Sequence, residues 1–191
     1  GILPQAMSGP YITICDEIDF VRPDVAYVMQ RVFEGNGLML TEDGGRIVKP
    51  HKMFRMFATG NTVGQGDEHG MYQGARPQSM AMLDRFTVWI KVDYMSTGDR
   101  KKLLKSTAPS LDSNEIDKIN QYVGEHLEAF TTAKVLQPIS PRTYMAFASA
   151  VAMFKSMSVP EPIEQALSAT ILDRASVQDR AVLNGLSNRV F

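Results

Sequence analysis

Cysteine, net charge and long apolar runs are all scarce in this sequence of 191 residues. Its single cysteine, Cys15, excludes an internal disulfide framework and is typical of a protein in a reducing cytosol. The formal net charge is −1, so bulk electrostatics do not favour nucleic acid or an anionic membrane. No apolar run approaches the roughly 20 residues that span a bilayer, and no signal peptide is visible. We therefore expect a cytoplasmic protein that binds neither nucleic acid nor membrane.

The composition is that of an ordinary globular protein, with 44% hydrophobic and 21% charged residues. Its length suits one domain or two small ones. Glycine becomes scarce after Ser96, where apolar residues recur at helical spacing. This periodicity predicts helices over 97–106, 112–131, 141–157, 160–173 and 176–189. We predict an α/β part at 1–95, followed by a helical domain at 96–191.

The first half alternates between strand and helix patterns. Apolar, β-prone runs predict buried strands of a parallel sheet at 11–15 and 54–61, and a third strand at 85–94. Pro23 opens an amphipathic helix that ends at Gly35. Two β-prone runs around Asp43-Gly44-Gly45 predict a hairpin at 38–48.

Polar side chains follow the first two predicted strands. Asp16 and Glu17 follow the first strand, at the sheet edge where open α/β sheets bind ligands. Adjacent carboxylates there can hold a metal ion and activate a water molecule, although helix-capping acids would give the same pattern. Asn61 ends the second strand and reaches the same crevice if the strands are neighbours. A turn-forming asparagine is the simpler interpretation of that residue taken alone.

Two arginines are candidates for stabilising phosphoryl charge. Arg85 precedes the third predicted strand, where it suits a site across a subunit boundary, and a surface salt bridge is the alternative. Arg142 follows Ser140-Pro141, a cap and first-turn proline that predict a helix start. It could reach a nucleotide between domains, or it could be an ordinary solvated residue.

The glycine-rich segment 60–70 is not a phosphate-binding P-loop. That motif ends in Gly-Lys-Ser/Thr and opens a helix, whereas this chain contains no Gly-Lys pair. Asp67, Glu68 and His69 are consecutive and therefore poorly arranged to converge on one metal ion. We expect a mobile, solvated loop here.

The order of these features resembles the AAA+ ATPases, specifically their MoxR and chelatase branch, and within it the CobS-type ATPase subunits of aerobic cobaltochelatases. The resemblance covers nearly the whole chain and is densest from 15 to 94. It is carried by DEIDFVRPDVAYVMQRVFE, IVKPHKMFRMFATGNTVGQGDEHGMYQGARPQSMAMLDRF and DRAVLNGLSNRVF. It implies the C-terminal part of an AAA+ nucleotide-binding core with a β-hairpin insertion, followed by an all-α lid.

The resemblance also implies roles for the candidate residues, with ATP and Mg²⁺ as cofactors. Asp16 and Glu17 match the Walker B pair, which holds magnesium and activates water. Asn61 matches sensor 1, which contacts the γ-phosphate and the attacking water. Arg85 resembles the arginine finger that acts on a neighbouring subunit's site, and Arg142 resembles sensor 2 of the lid.

By the same resemblance we expect a ring, commonly hexameric, that works with CobT-like and CobN-like subunits. Such a complex inserts cobalt into hydrogenobyrinic acid a,c-diamide in cobalamin biosynthesis. The alternatives are a MoxR-type chaperone ATPase that remodels a metalloenzyme, and a non-catalytic interaction module. The family's P-loop should lie in a segment preceding residue 1, so we expect the 191 residues alone neither to bind nor to hydrolyse ATP appreciably.

Overall fold

A computed structural model describes residues 1–66, 72 and 74–191 of the chain. Residues 67–71 and 73, and with them the expectations for Asp67, Glu68 and His69, lie outside these ranges. The described chain forms two compact units, Gly1–Lys91 and Val92–Phe191. The first contains helices and strands and the second contains only helices. The predicted fold class, an α/β part followed by an all-α part, is confirmed.

The first unit is built from short elements. These are α1 (Ile2–Met7), β1 (Ile12–Cys15), α2 (Pro23–Phe33), β2 (Leu38–Leu40), β3 (Arg46–Val48), β4 (Arg55–Ala58) and α3 (Met80–Leu83). Strands β2 and β3 pair antiparallel, as the hairpin pattern predicted. Gly44 and Gly45 lie at the turn with positive φ angles, which glycine adopts without steric cost. The small apolar core of the first unit consists of Met7, Val32, Leu38, Val48 and Phe54.

Strands β1 and β4 are neighbours and run parallel. Their register pairs the last residue of each strand, Cys15 with Ala58. Because the strands are parallel, their carboxyl ends meet at one edge of the sheet. Asp16 and Thr59, the next residue of each strand, therefore lie at the same edge.

Two predictions about the strands are wrong. First, the strands are not buried: Ile14 of β1 and Phe57 of β4 are exposed, because nothing in the described part of the chain covers their face. Second, the described backbone forms no strand over 85–94, and Val88 and Ile90 there are exposed. A β-prone run becomes a strand only where its backbone pairs with another strand, and this range is part of neither sheet in the described chain.

The second unit is a helical cluster. Its helices are α4 (Thr97–Thr107), α5 (Ser113–Thr131), α6 (Pro141–Ser156), α7 (Pro162–Leu167) and α8 (Val177–Val190). Side-chain caps begin four of them, at Ser96, Asp112, Ser140 and Ser176. Around the buried Tyr122 and Phe147 lies one continuous apolar core. Among the described helices, none is both long and apolar enough to cross a membrane.

The helix predicted over 160–173 is α7 followed by a π-helical turn, Ser168–Leu172. The N–H of Asp173 donates to the carbonyl of Ser168, five residues earlier, at 3.0 Å. In the same turn, the hydroxyl of Thr170 donates to the carbonyl of Ala166 at 2.7 Å. Such hydrogen bonds compete with the regular helical ladder and widen it locally.

Candidate functional site

The ends of β1 and β4 are joined by Thr59. Its hydroxyl accepts the backbone N–H of Glu17 at 3.0 Å and donates to a carboxylate oxygen of Asp16. Its carbonyl accepts the N–H of Ile18 at 2.8 Å, and its own N–H donates to the carbonyl of Cys15 at 3.0 Å. Glu17 has a left-handed backbone with φ of 53°, so the chain turns sharply after Asp16. The Asp16 and Glu17 side chains are consequently both exposed at the edge of the sheet.

Asp19 lies behind this edge and is buried, with 1% of its surface exposed. One carboxylate oxygen, Oδ2, accepts the backbone N–H groups of Asn61 at 2.7 Å and of Thr62 at 3.0 Å. The Thr62 hydroxyl donates to the same oxygen at 3.1 Å. Asp19 therefore fixes the segment that follows β4.

The sequence predicted that Asn61 ends the second strand, and this prediction is wrong. Strand β4 ends at Ala58, because Thr59 pairs with the turn after β1 and Asp19 binds the backbone of Asn61. The side chain of Asn61 is exposed. It follows the strand whose end adjoins Asp16, so the predicted neighbourhood of the two strand ends is correct.

Arg85 follows the short helix α3 and pairs with Glu34, which caps the C-terminal end of α2. Its Nε donates to Glu34 Oε1 at 2.9 Å, and its Nη1 donates to the carbonyl of Ala81. The salt bridge that was the alternative for Arg85 is therefore present within the first unit. Its role towards a neighbouring subunit stays a prediction.

Arg142 belongs to the second unit, where it is the second residue of α6 and is exposed. The helix start is ordered around it: Ser140 caps the N–H of Thr143, and Arg174 donates to the Thr143 hydroxyl at 2.6 Å. Asp179 and His126 hold the loop that leads into this helix. Asp179 accepts the N–H of Leu136 at 3.0 Å, and His126 lies 3.0 Å from the carbonyl of Gln137.

Cys15 is half-buried, and burial raises the pKa of its thiol because the thiolate is disfavoured away from water. The cysteine therefore lacks the depressed pKa of a reactive nucleophile.

The carboxylates at the sheet edge fit a magnesium ion whose remaining ligands are phosphate oxygens and water molecules. Mg²⁺ takes oxygen ligands and is commonly held by one or two carboxylates rather than by an all-protein cage. Asp16 and the Thr59 hydroxyl supply oxygen atoms there. Within the described ranges, no group of three His, Cys, Asp or Glu side chains could hold a metal ion, so a preformed protein cage is not found there.

Thr59 and Asp19 were both missed by the sequence-based interpretation. Thr59 directly follows β4, just as Asp16 directly follows β1. The assumption that the two predicted strands are parallel neighbours would therefore have placed Thr59 beside Asp16. Asp19 lies three residues after Asp16 in DEID, and nothing in a single sequence separates a buried aspartate from a capping one.

The chain is similar in sequence to several known proteins. No protein-family model matches the chain. The aerobic cobaltochelatase subunit CobS of Sinorhizobium sp is 29% identical over 195 aligned residues, which cover 100% of this chain and 57% of that protein. The uncharacterized protein SERP0979 of Staphylococcus epidermidis is 24% identical, covering 97% of this chain and 66% of its own length. Midasin of Dictyostelium discoideum is 29% identical over 104 residues, 54% of this chain and 2% of midasin.

The chain thus resembles CobS over its whole length, as the quoted motifs indicated. It spans between 57% and 66% of the length of the first two of these relatives.

Proposed function

We propose that this chain is the C-terminal part of the AAA+ ATPase subunit of a cobaltochelatase-type complex. The observation that carries the proposal is the pair of exposed carboxylates, Asp16 and Glu17, at the shared carboxyl edge of two parallel strands. Thr59 binds the Asp16 carboxylate and the backbone N–H of Glu17 there. Similarity to CobS along the whole chain supports the same assignment. The phosphate-binding loop of such an ATPase would be supplied by a preceding segment.

In this proposal each residue at the sheet edge has one task. Asp16 holds magnesium, which when bound neutralises charge on the β- and γ-phosphates of ATP. Glu17 orients the attacking water and accepts its proton. The amide of Asn61 holds that water against the terminal phosphate. Thr59 holds the Asp16 carboxylate and the backbone of Glu17 in place through the hydrogen bonds of its hydroxyl.

The arginines act on charge that develops during phosphoryl transfer. Arg85 is the finger directed at a neighbouring subunit's nucleotide, where its permanently charged planar fork binds phosphate oxygens. To do so it must leave Glu34, its partner within the unit. Arg142, exposed in the first turn of α6, reads the nucleotide state from the helical unit.

The assembled protein would be a cytoplasmic hexameric ring that couples ATP hydrolysis to CobT-like and CobN-like subunits. The chemical outcome would be insertion of cobalt into hydrogenobyrinic acid a,c-diamide. Cobalt and tetrapyrrole are substrates of the complex in this scheme and are bound by the partners.

The proposal is tested in the longer protein that carries the phosphate-binding loop. Glu17→Gln should abolish ATP turnover and spare ATP binding, because the amide fills the same space but cannot accept the proton. Glu42→Gln, on an exposed turn of the hairpin, is the matched control and should retain turnover. Unchanged hydrolysis in Glu17→Gln would remove Glu17 from the mechanism. Co-purification then separates chelation from a chaperone role: CobN-like and CobT-like partners support the former, and another metalloenzyme supports the latter.

A further inference from the structure

Asp19 differs from the other acidic residues near the sheet edge because it cannot meet a ligand directly. Only 1% of its surface is exposed, whereas Asp16 and Glu17 beside it are exposed. Its carboxylate is directed at the protein backbone, and the residues it binds lie 42 and 43 positions later in the chain. A buried carboxylate is strongly disfavoured unless hydrogen bonds replace its hydration. A buried carboxylate of this kind is therefore expected to order the specific backbone segment that donates hydrogen bonds to it.

The hydrogen bonds to Asp19 are concentrated on one oxygen. Oδ2 accepts the N–H of Asn61, the N–H of Thr62 and the hydroxyl of Thr62, at 2.7, 3.0 and 3.1 Å. The other oxygen, Oδ1, is buried and has no hydrogen-bond partner among the described residues. The backbone carbonyl of Asp19 also accepts the N–H of Arg76 at 2.8 Å.

From this geometry we infer that Asp19 is a positioning residue for hydrolysis, acting through Asn61. The inference rests on the proposed function, in which the Asn61 amide holds the attacking water. Hydrogen bonds to the Asn61 N–H and to the next residue fix the backbone from which that amide projects. Because a misplacement of about 1 Å can reduce catalysis on the order of 100-fold, the anchor matters even though it touches no reactant.

The unequal use of the two oxygens distinguishes substitutions at this position. In Asp19→Asn, the amide oxygen can replace Oδ2 and accept the same donors, and the NH₂ group takes the place of Oδ1, which has no partner to lose. In Asp19→Ala, the N–H groups of Asn61 and Thr62 lose their acceptor. The asparagine variant should therefore retain the ordered backbone at Asn61 and Thr62 that the alanine variant loses. Asp24→Ala, an exposed site on α2, is the matched control.

Amide hydrogen exchange on the 191-residue chain tests the anchor without any assumption about ATP. In Asp19→Ala, we expect the amides of Asn61 and Thr62 to exchange about tenfold faster or more, since both lose a hydrogen bond to a carboxylate. The amide of Ile18 should change much less, because its acceptor is the carbonyl of Thr59. Asp19→Asn and Asp24→Ala should retain the protection of the wild type. Unchanged protection at Asn61 and Thr62 in Asp19→Ala would overturn the inference.

Kinetics of the longer protein test the step to function. We expect Asp19→Ala to lower kcat for ATP hydrolysis on the order of 10- to 100-fold, with KM for ATP changed about threefold at most. Asp19→Asn should restore most of kcat. The double variant Asp19→Ala/Asn61→Ala should be no slower than Asn61→Ala alone, because the two residues act as one unit.

The outcomes separate this inference from the proposed function. An active wild type with unaltered kcat in Asp19→Ala, or with additive losses in the double variant, overturns the positioning role and leaves the ATPase proposal standing. A parallel loss of nucleotide binding and thermal stability, not rescued by asparagine, would mean that Asp19 only maintains the fold. An inactive wild type that carries an intact phosphate-binding loop overturns the proposed function itself, and the catalytic part of the inference with it. The exchange result would still establish whether Asp19 orders Asn61.

Discussion

The hydroxyl of Thr59 accepts the backbone N–H of Glu17 at 3.0 Å, across the ends of two parallel strands. This contact lies where β1 gives way to a left-handed turn at Glu17, with φ of 53°. A residue other than glycine adopts that conformation only where its surroundings compensate for the strain. Thr59 is therefore part of what places the Glu17 side chain at the sheet edge.

The first prediction concerns this hydroxyl. Thr59→Val keeps the β-branched shape and removes the hydrogen bonds to Glu17 and Asp16, so we expect a loss of about 1 kcal/mol in the stability of the first unit. Thr59→Ser retains the hydroxyl and should lose less. The only tryptophan, Trp89, lies in the first unit, so its fluorescence during urea unfolding reports on that unit. Equal midpoints for the valine and serine variants would show that the hydroxyl contributes nothing.

The second prediction separates two roles of Arg85. If Arg85 acts only by pairing with Glu34, Arg85→Ala and Glu34→Ala should have similar effects on stability and on turnover by the longer protein. If Arg85 is the finger of the proposed ring, Arg85→Ala should lower turnover by about 1000-fold, since such arginines contribute 10³ to 10⁵ in kcat.

Glu34→Ala is the matched control, because it removes the partner and leaves the arginine available. We expect turnover in this variant to stay near that of the wild type. Steady-state hydrolysis of ATP at subunit concentrations that support assembly is the measurement. A comparable loss in both variants would contradict the finger assignment.

The third prediction concerns Asp179, which is buried and binds backbone N–H groups much as Asp19 does. Asp179→Ala leaves the N–H groups of Leu136 and Gln137 without their acceptor, so we expect the second unit to lose about 2–3 kcal/mol or more. Far-ultraviolet circular dichroism during urea unfolding follows this helical unit. Asp117→Ala, at an exposed pair with Lys101, should lose about 1 kcal/mol at most. If Asp179→Ala lowers the free energy of unfolding no more than Asp117→Ala does, the stabilising role of the buried Asp179 carboxylate is contradicted.

The fourth prediction is a pH dependence that arises at His126. Burial lowers the pKa of His126 below its ordinary 6.5, against smaller raising effects of the Gln137 carbonyl and Asp179, while Arg174 lowers it further. The unfolded chain therefore binds the proton more readily than the folded one. The stability associated with neutral His126 is fully present above pH 6.5 and declines as the pH falls below that value.

This prediction is checked by the unfolding free energy of the second unit, measured as the pH falls from 7.5 to about 5. His126→Gln should flatten the profile, because glutamine does not titrate. His51→Gln, in the first unit, should leave the slope for the second unit unchanged. A slope identical in the wild type and His126→Gln would assign the pH dependence to other groups.

Several elements were predictable because their signals are local. Ser140-Pro141 predicts the start of α6, and the structure places a cap and a first-turn proline there. Gly44 and Gly45 predict the hairpin turn and have positive φ angles in it. Each of these depends on a few consecutive residues, whose conformational preferences are largely independent of the rest of the fold.

The range 85–94 shows where such local reasoning fails. Its β-prone residues predict a strand, but a strand requires backbone partners that its own sequence does not contain. The same holds for burial: the apolar residues of β1 suit a covered sheet, yet Ile12 and Ile14 are exposed in the described chain.

The sequence alone determined the hairpin, the change from an α/β first half to a helical second half, and the candidates Asp16, Glu17 and Asn61, since these follow from local pattern and motif. Tertiary structure decided which polar groups meet. Asp19 binds backbone 42 residues away, and Asp179 binds backbone 43 residues away. Hydrogen bonds of that separation form only when strand pairing and helix packing bring distant segments together, so the residues that position the site emerged only from the fold.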